Sequence, residues 1–131
     1  MSDEVRHGSP EALSQAWADY FNRVVFEKPA RPFARDYLDE DLRGTLQRWI
    51  PSDASVLEVG SRAGDLLASL PNQERVGIVN SAELADEAIR RHPDLSFEVG
   101  PVERLPEGKK FDAVICDRLC HTVTDVRAWL E

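Results

Sequence analysis

The fold of this chain follows from one stretch, Val56-Leu57-Glu58-Val59-Gly60-Ser61-Arg62-Ala63-Gly64-Asp65-Leu66-Leu67. Its first four residues are mostly apolar and are typical of a short β-strand. Two glycines follow, four positions apart, and a helical pattern of apolar residues begins after the second. A strand that turns through glycines into a helix is the first βα unit of a nucleotide-binding α/β sheet, because glycine lets the backbone approach a ligand closely.

The same alternation continues along the chain. Apolar runs predict strands at 55–59, 75–79, 95–99 and 111–116, and helices lie between the first three of them. Repeats of about 20 residues imply right-handed crossovers and a parallel sheet. We predict an α/β fold with a Rossmann-like, doubly wound sheet in the order 3-2-1-4, truncated after strand 4. Its ligand crevice would lie at the carboxyl ends of strands 1 and 4.

Two helices are predicted before the sheet. Ser9-Pro10 begins a helix over 10–26, and its apolar stripe is expected to pack on the sheet, with a lid over the substrate or a dimer contact as alternatives. The stripe consists of Leu13, Trp17, Tyr20, Phe21, Val24 and Val25. Pro29 and Pro32 break the first helix, and a second helix is predicted over 39–50. We therefore divide the chain into an N-terminal helical extension, 1–37, and a partial Rossmann domain, 38–131.

Composition limits the classes of function. The 131 residues suffice for one modest core, and the net charge of −8 argues against a nucleic-acid or anionic-membrane surface. No apolar run approaches the ~20 residues of a membrane span, and the first residues lack the features of a signal peptide. Two cysteines, Cys116 and Cys120, suit a reducing compartment, so we expect a cytoplasmic protein.

Four segments resemble class I S-adenosylmethionine (SAM) methyltransferases. The pattern E-x-G-x-x-x-G at 58–64 is similar to motif I of that family, E/D-x-G-x-G-x-G. V-G-I at 76–78 with S-x-E-L at 81–84, F-E-V-G at 97–100 with L-P at 105–106, and F-D-A-V-I at 111–115 resemble the next three motifs. The resemblance covers about 38–131. It is nearest to the methyltransferase half of bacterial proteins that fuse a methyltransferase to a family 2 glycosyltransferase.

The resemblance implies SAM as cofactor and methyl transfer to a small-molecule or sugar-related acceptor. The cofactor-binding residues it implies are Glu58, Gly60, Ser61, Gly64, Asn80, Val102 and Asp117. Glu58 would accept a hydrogen bond from the amino group of SAM, or alternatively would bond the backbone of its own loop. His121 follows strand 4 and is a candidate general base, or alternatively a surface histidine that caps a helix.

Three positions depart from the family pattern at the cofactor. Arg62 replaces the middle glycine of motif I, where its charge would repel the sulfonium of SAM. Val79 replaces the acid that holds the ribose hydroxyls, and Pro101 replaces the aspartate that meets the adenine. We therefore expect cofactor binding to be weak or lost. The alternative function is a non-catalytic scaffold or interaction module, and a dinucleotide-dependent oxidoreductase is a distant third because G-x-G-x-x-G is absent.

A metal site is not predicted. Cys116, Cys120 and His121 give the spacing C-x₃-C-H, which lacks a second pair of ligands.

Strand 4, at 111–116, is predicted to leave an uncovered edge, because the sequence ends one helix later. We expect a fragment of a longer protein, or alternatively a natural short relative. The edge would be covered by another protein domain, by a second copy of the chain, or by the N-terminal helix through Trp17 and Phe21.

Overall fold

The computed structural model describes residues 10–27, 34–101, 107–117, 123 and 125–131. Its four strands are β1 (Val56–Val59), β2 (Arg75–Val79), β3 (Ser96–Val99) and β4 (Ala113–Ile115). Its helices are α1 (Pro10–Glu27), α2 (Ala34–Trp49), α3 (Asp65–Ala68), α4 (Ala82–Arg91) and α5 (Val126–Leu130). None of these helices is long and apolar enough to span a bilayer.

The four strands form one parallel sheet in the order β3-β2-β1-β4, which confirms the predicted fold. The register places Glu58 of β1 between Gly77 of β2 and Ile115 of β4. The strand order reverses between β1 and β4, so the crevice of a doubly wound sheet lies at the carboxyl ends of these two strands.

Alternate residues of the central strands face two apolar layers. One layer is built from Leu57, Val59, Val76, Ile78 and Val123, with Trp129 of α5 packed against it. The other is built from Val56, Leu67, Leu70, Leu95 and Ile115, with Leu46 and Ile50 against it. All four residues of β1 are buried, as expected for a strand covered on both faces.

Two details of the predicted helices are wrong. The second helix begins at Ala34 rather than at 39, because no proline or glycine follows Pro32 until Gly44. Helical spacing puts Trp49 on one face with Leu46 and Ile50, and Ile89 on one face with Leu84 and Ala88, which predicts that both face inward; both are exposed instead. The apolar stripes of α2 and α4 are wider than the surface that the core offers to each helix.

Two side chains fasten the short helix α3 to the sheet. Arg75 at the start of β2 is 12% exposed, and its Nη1 donates to the carbonyl oxygens of Leu67, Ala68 and Leu70. These carbonyls lie at the end of α3 and just after it, where helical donors run out; that of Leu67 also accepts from the Leu70 N–H. Its Nη2 also bonds Asp94 at 2.9 Å. Likewise, Nδ2 of buried Asn72 donates to the carbonyl oxygens of Pro51 and Ala54, which precede β1.

Asp112 fixes β4 beside β1. Its Oδ2 accepts from the backbone N–H of Ser55 at 2.9 Å and from Ser55 Oγ at 3.0 Å. In return, the Asp112 N–H donates to Ser55 Oγ. The aspartate of the F-D motif is therefore used in this chain to set the position of strand β4.

Replacing Arg75 with methionine should lower the free energy of unfolding by about 2–4 kcal/mol, because it leaves carbonyls at the end of α3 without donors. Urea unfolding would measure the change. Arg127→Met is the matched control, since Arg127 is exposed and its bond among the described residues is to nearby Glu131, at the end of the same helix. This role of Arg75 would be contradicted if Arg75→Met lowered the free energy of unfolding by no more than Arg127→Met does.

Candidate functional site

The structure brings the predicted site residues to one edge of the sheet. Glu58 lies in β1, and Gly60, Ser61 and Gly64 lie in the loop that follows it. Asn80 directly follows β2, and Asp117 closely follows β4. Because β1 stands between β2 and β4, these groups share the carboxyl edge of three neighbouring strands. Val102 and His121 lie outside the described residues, so their predicted roles stay predictions.

The loop after β1 uses left-handed backbone at every second residue. Gly60, Arg62 and Gly64 have φ angles of 75°, 52° and 83°. The glycines of a G-x-G-x-G motif would occupy these three positions. Arg62 therefore adopts the backbone that the missing glycine would take, at a cost of about 1–2 kcal/mol for a residue with a Cβ. The loop therefore has left-handed backbone at all three glycine positions of that motif, although Arg62 fills the middle one.

The ring of Phe97 holds this loop against β2. A Cβ on Gly64 would lie 2.5 Å from Phe97 Cζ, and a Cβ on Gly77 would lie 2.8 Å from Phe97 Cδ1. The Ser61 N–H donates to the carbonyl oxygen of Ile78 at 2.8 Å and completes the attachment. Gly64 and Gly77 are therefore required for packing, whether or not a ligand binds.

Glu58 is buried, with 5% exposure, and its Oε2 accepts a 3.2 Å hydrogen bond from Ser61 Oγ. Burial raises the pKa of Glu58 to about 8; the Ser61 hydrogen bond opposes this rise. The charge of Asp117 also raises this pKa, while Arg62 lowers it. At neutral pH the carboxyl is therefore mostly protonated. Its hydrogen bond is to a side chain of the following loop, whereas the alternative role predicted for Glu58 was a bond to the backbone of that loop. Acceptance of a bond from SAM stays a prediction.

The carboxyl end of β2 is covered by the N-terminal helix. Val79 is 0% exposed and clusters with Leu84 and Ala85 of α4, while Trp17 of α1 packs against this cluster. Trp17 was a candidate cover for β4, but β1 separates β4 from the strand that Trp17 contacts.

A polar contact that the sequence analysis missed lies beside this cluster. Ser81 Oγ donates to Asn22 Oδ1 at 2.7 Å and accepts from the Leu84 N–H, so that it caps the N-terminus of α4. The spacing along α1 could have indicated this contact. Asn22 lies four residues after Ala18, which is buried, and residues four apart share one face of a helix.

The residues at the end of β2 do not fit a ribose. In dinucleotide-binding folds an acid there accepts from the ribose hydroxyls. Val79 has no polar side-chain atom, and α1 and α4 leave its side chain no exposed surface. Asn80, one position later, is half-buried and is the nearest amide along the chain. The position of the ribose acceptor at the end of β2 is thus filled with apolar side chains, whereas the loop after β1 has its three left-handed residues.

A charged cluster joins α3 to the end of α4. Asp65 Oδ1 lies 2.7 Å from His92 Nε2, and Arg91 bridges Asp65 and Glu87. Asp65 is exposed, whereas Arg91, His92 and Glu87 are partly buried, and the cluster ties α3 to α4. Within the described part of the chain, no three histidine, cysteine, aspartate or glutamate residues form a group that could hold a metal.

No family model and no curated protein matches this chain, but solved structures do. Phosphoethanolamine N-methyltransferase 1 from Haemonchus contortus, solved with phosphoethanolamine and S-adenosylhomocysteine, is 16% identical with a TM-score of 0.64 over 84% of this chain. SAM-bound CalS10, an amino pentose methyltransferase from Micromonospora echinaspora, is 18% identical with a TM-score of 0.59 over 79%. A SAM-dependent methyltransferase from Thermotoga maritima is 16% identical with a TM-score of 0.62 over 92%.

The chain spans 26%, 51% and 52% of the lengths of these three proteins, respectively. At such identities the likeness establishes the fold alone. The described sheet, its order and these neighbours agree: the chain has the fold of the class I SAM-dependent methyltransferases, over part of their length.

Two substitutions of Arg62 separate its backbone from its side chain. Both Arg62→Gly and Arg62→Ala remove the guanidinium, but only glycine adopts φ near 52° without strain. The glycine variant should be more stable than the alanine variant by about 1 kcal/mol in urea unfolding. Equal stabilities would mean that the left-handed backbone is not present in solution.

The pKa of Glu58 predicts a pH dependence of stability. Its folded pKa of about 8 exceeds the ordinary value of 4.5, so its stabilising contribution is complete below pH 4.5 and is lost as pH rises toward 8. Glu58→Gln should remove a slope of up to about 1.4 kcal/mol per pH unit between these values, measured by urea unfolding at several pH values.

The control for this experiment is Glu87→Gln. Arg90 and Arg91 lower the pKa of Glu87, so its titration lies below that of Glu58, and the variant should retain the slope between pH 5 and 8. The raised pKa of Glu58 would be contradicted if, between pH 5 and 8, the free energy of unfolding of the wild-type chain fell no more steeply than that of Glu58→Gln.

Proposed function

We propose that this chain is a domain of the SAM-dependent methyltransferase fold in which binding of SAM is weak or lost. The observation that carries the proposal is the burial of Val79 in apolar contacts where a ribose acceptor would be needed. A buried ribose hydroxyl without an acceptor loses about 1–3 kcal/mol. Arg62 adds a positive charge near the position of the sulfonium, which disfavours SAM further.

The loop after β1 supports residual binding of a nucleoside ligand. Its alternating left-handed residues keep the backbone form of motif I, and Gly60, Ser61, Gly64, Asn80 and Asp117 remain near the crevice. Where binding occurs, the acceptor class we propose is a small molecule or a sugar-related compound. Two of the structural neighbours, which carry the names amino pentose methyltransferase and phosphoethanolamine N-methyltransferase, support this class. His121 and Val102 would belong to the same site.

Methyl transfer to a good nucleophile requires mainly alignment of that nucleophile with the methyl group of SAM. SAM would supply the methyl group, and this chain would supply the loop after β1 and the segment after β4 that position cofactor and acceptor. Asp117 belongs to that segment, and a general base there would be His121. Activity would then depend on how much SAM the altered crevice still binds.

The edge of β4 favours a second candidate function, a scaffold that contacts another protein domain or a second copy. Val114 is 52% exposed in this edge strand of the described sheet, and its neighbours Ala113 and Ile115 are apolar. An apolar strand with an open row of backbone groups is a template for pairing with another strand. Light scattering of the purified chain separates this candidate: dimers that Val114→Lys converts to monomers would support pairing at β4.

Calorimetric titration of SAM and of S-adenosylhomocysteine into the full chain tests the proposed function. We expect dissociation constants of about 1 mM or weaker, which correspond to about −4 kcal/mol or less favourable binding. Micromolar binding of either compound would contradict the loss of cofactor affinity and would favour an active methyltransferase.

A further inference from the structure

We propose that α1 is a built-in plug that occupies the nucleoside end of the ligand crevice at the carboxyl end of β2. The inference rests on the proposed function, because it gives a physical reason for weak SAM binding. The plug is the N-terminal helix, which contains none of the residues of the methyltransferase motifs.

The contact of α1 with the sheet is a core contact. Trp17 lies against the cluster of Val79, Leu84 and Ala85, and Ala18, its neighbour in α1, is buried. The side chains of Val79 and Leu84 are both 0% exposed. Apolar surface buried to this degree is removed from water, so the hydrophobic effect keeps α1 in place.

A hydrogen bond also joins α1 to α4 at this contact. Ser81 Oγ donates to Asn22 Oδ1 at 2.7 Å while accepting from the Leu84 N–H. The two residues are 59 positions apart, so the bond joins α1 directly to the beginning of α4. The turn from β2 into α4, where polar groups of a ligand would approach a doubly wound sheet, is thereby engaged by the protein itself.

The arrangement distinguishes a plug from a lid. A lid closes over a bound ligand and contributes contacts to it, whereas Trp17 of α1 packs against the apolar cluster that Val79, the last residue of β2, forms with Leu84 and Ala85 of α4. Because Val79 is fully buried in this cluster, a nucleoside would reach that position only after α1 moves away. The helix and the ligand therefore compete for one surface.

The test compares two double variants of the full chain, with S-adenosylhomocysteine as the probe because it lacks the charge of the sulfonium. Trp17→Ala with Asn22→Ala weakens both contacts of α1. The control is Gln15→Ala with Asp19→Ala, which changes an exposed hydrogen-bonded pair on the same helix. We expect the first pair to raise the affinity at least tenfold over wild type, and the control pair to leave it unchanged.

Hydrogen exchange provides the second readout. Amides of α1 should exchange faster in the first double variant and not in the control, while amides of β1 and β2 stay protected in both. Should the double variant fail to fold, Asn22→Ala alone removes only the bond to Ser81 and should raise the affinity about threefold.

The plug proposal is overturned if the folded double variant binds S-adenosylhomocysteine no more tightly than wild type, or if neither binds it. Weaker binding by the variant would show instead that α1 forms part of the site. Failure of the proposed function is a different result, because micromolar binding by the wild-type chain contradicts it whatever the ratio between variants.

Discussion

The contact of the Phe97 ring with Gly64 and Gly77 is the constraint on which the site depends. Either glycine, given a Cβ, would place that atom within 3 Å of the ring. The contact brings the loop after β1 onto β2, where the Ser61 N–H reaches the carbonyl oxygen of Ile78. Ser61 Oγ then lies beside Glu58, and burial of this pair holds the carboxyl mostly protonated at neutral pH. Packing, rather than a ligand, therefore maintains the form of this loop.

This packing explains how the fold tolerates residues that depart from the methyltransferase motifs. Arg62 keeps the left-handed backbone of a glycine at a modest cost in free energy, because the loop is fixed on both sides of it. Val79 carries no such cost, because a valine at the end of a buried strand adds to the core. Each change affects a ligand position without breaking a contact that the sheet needs.

The local pattern of the sequence was sufficient to predict the sheet. Short apolar runs separated by helical segments gave β2 with its observed bounds and the other strands to within two residues, together with the order 3-2-1-4. The bounds depend on periodicity and on glycine and proline, which act within a few residues, whereas the order follows from the doubly wound topology that the strand–helix alternation implies. The exposure of Trp49 and Ile89 was not predictable in this way, because it depends on how much surface the core offers to each helix.

By itself, the sequence determined the class of fold, the loop after β1 and the departures at Arg62, Val79 and Pro101. Only the tertiary structure decided the surroundings of Arg62 and Val79. The burial of Val79 beneath Trp17, the bond from Ser81 to Asn22 and the raised pKa of Glu58 all require residues far apart in the chain to meet. Neither the environment of an ionisable group nor competition between a helix and a ligand can be derived from neighbours along the sequence, because both are set by contacts across the folded chain.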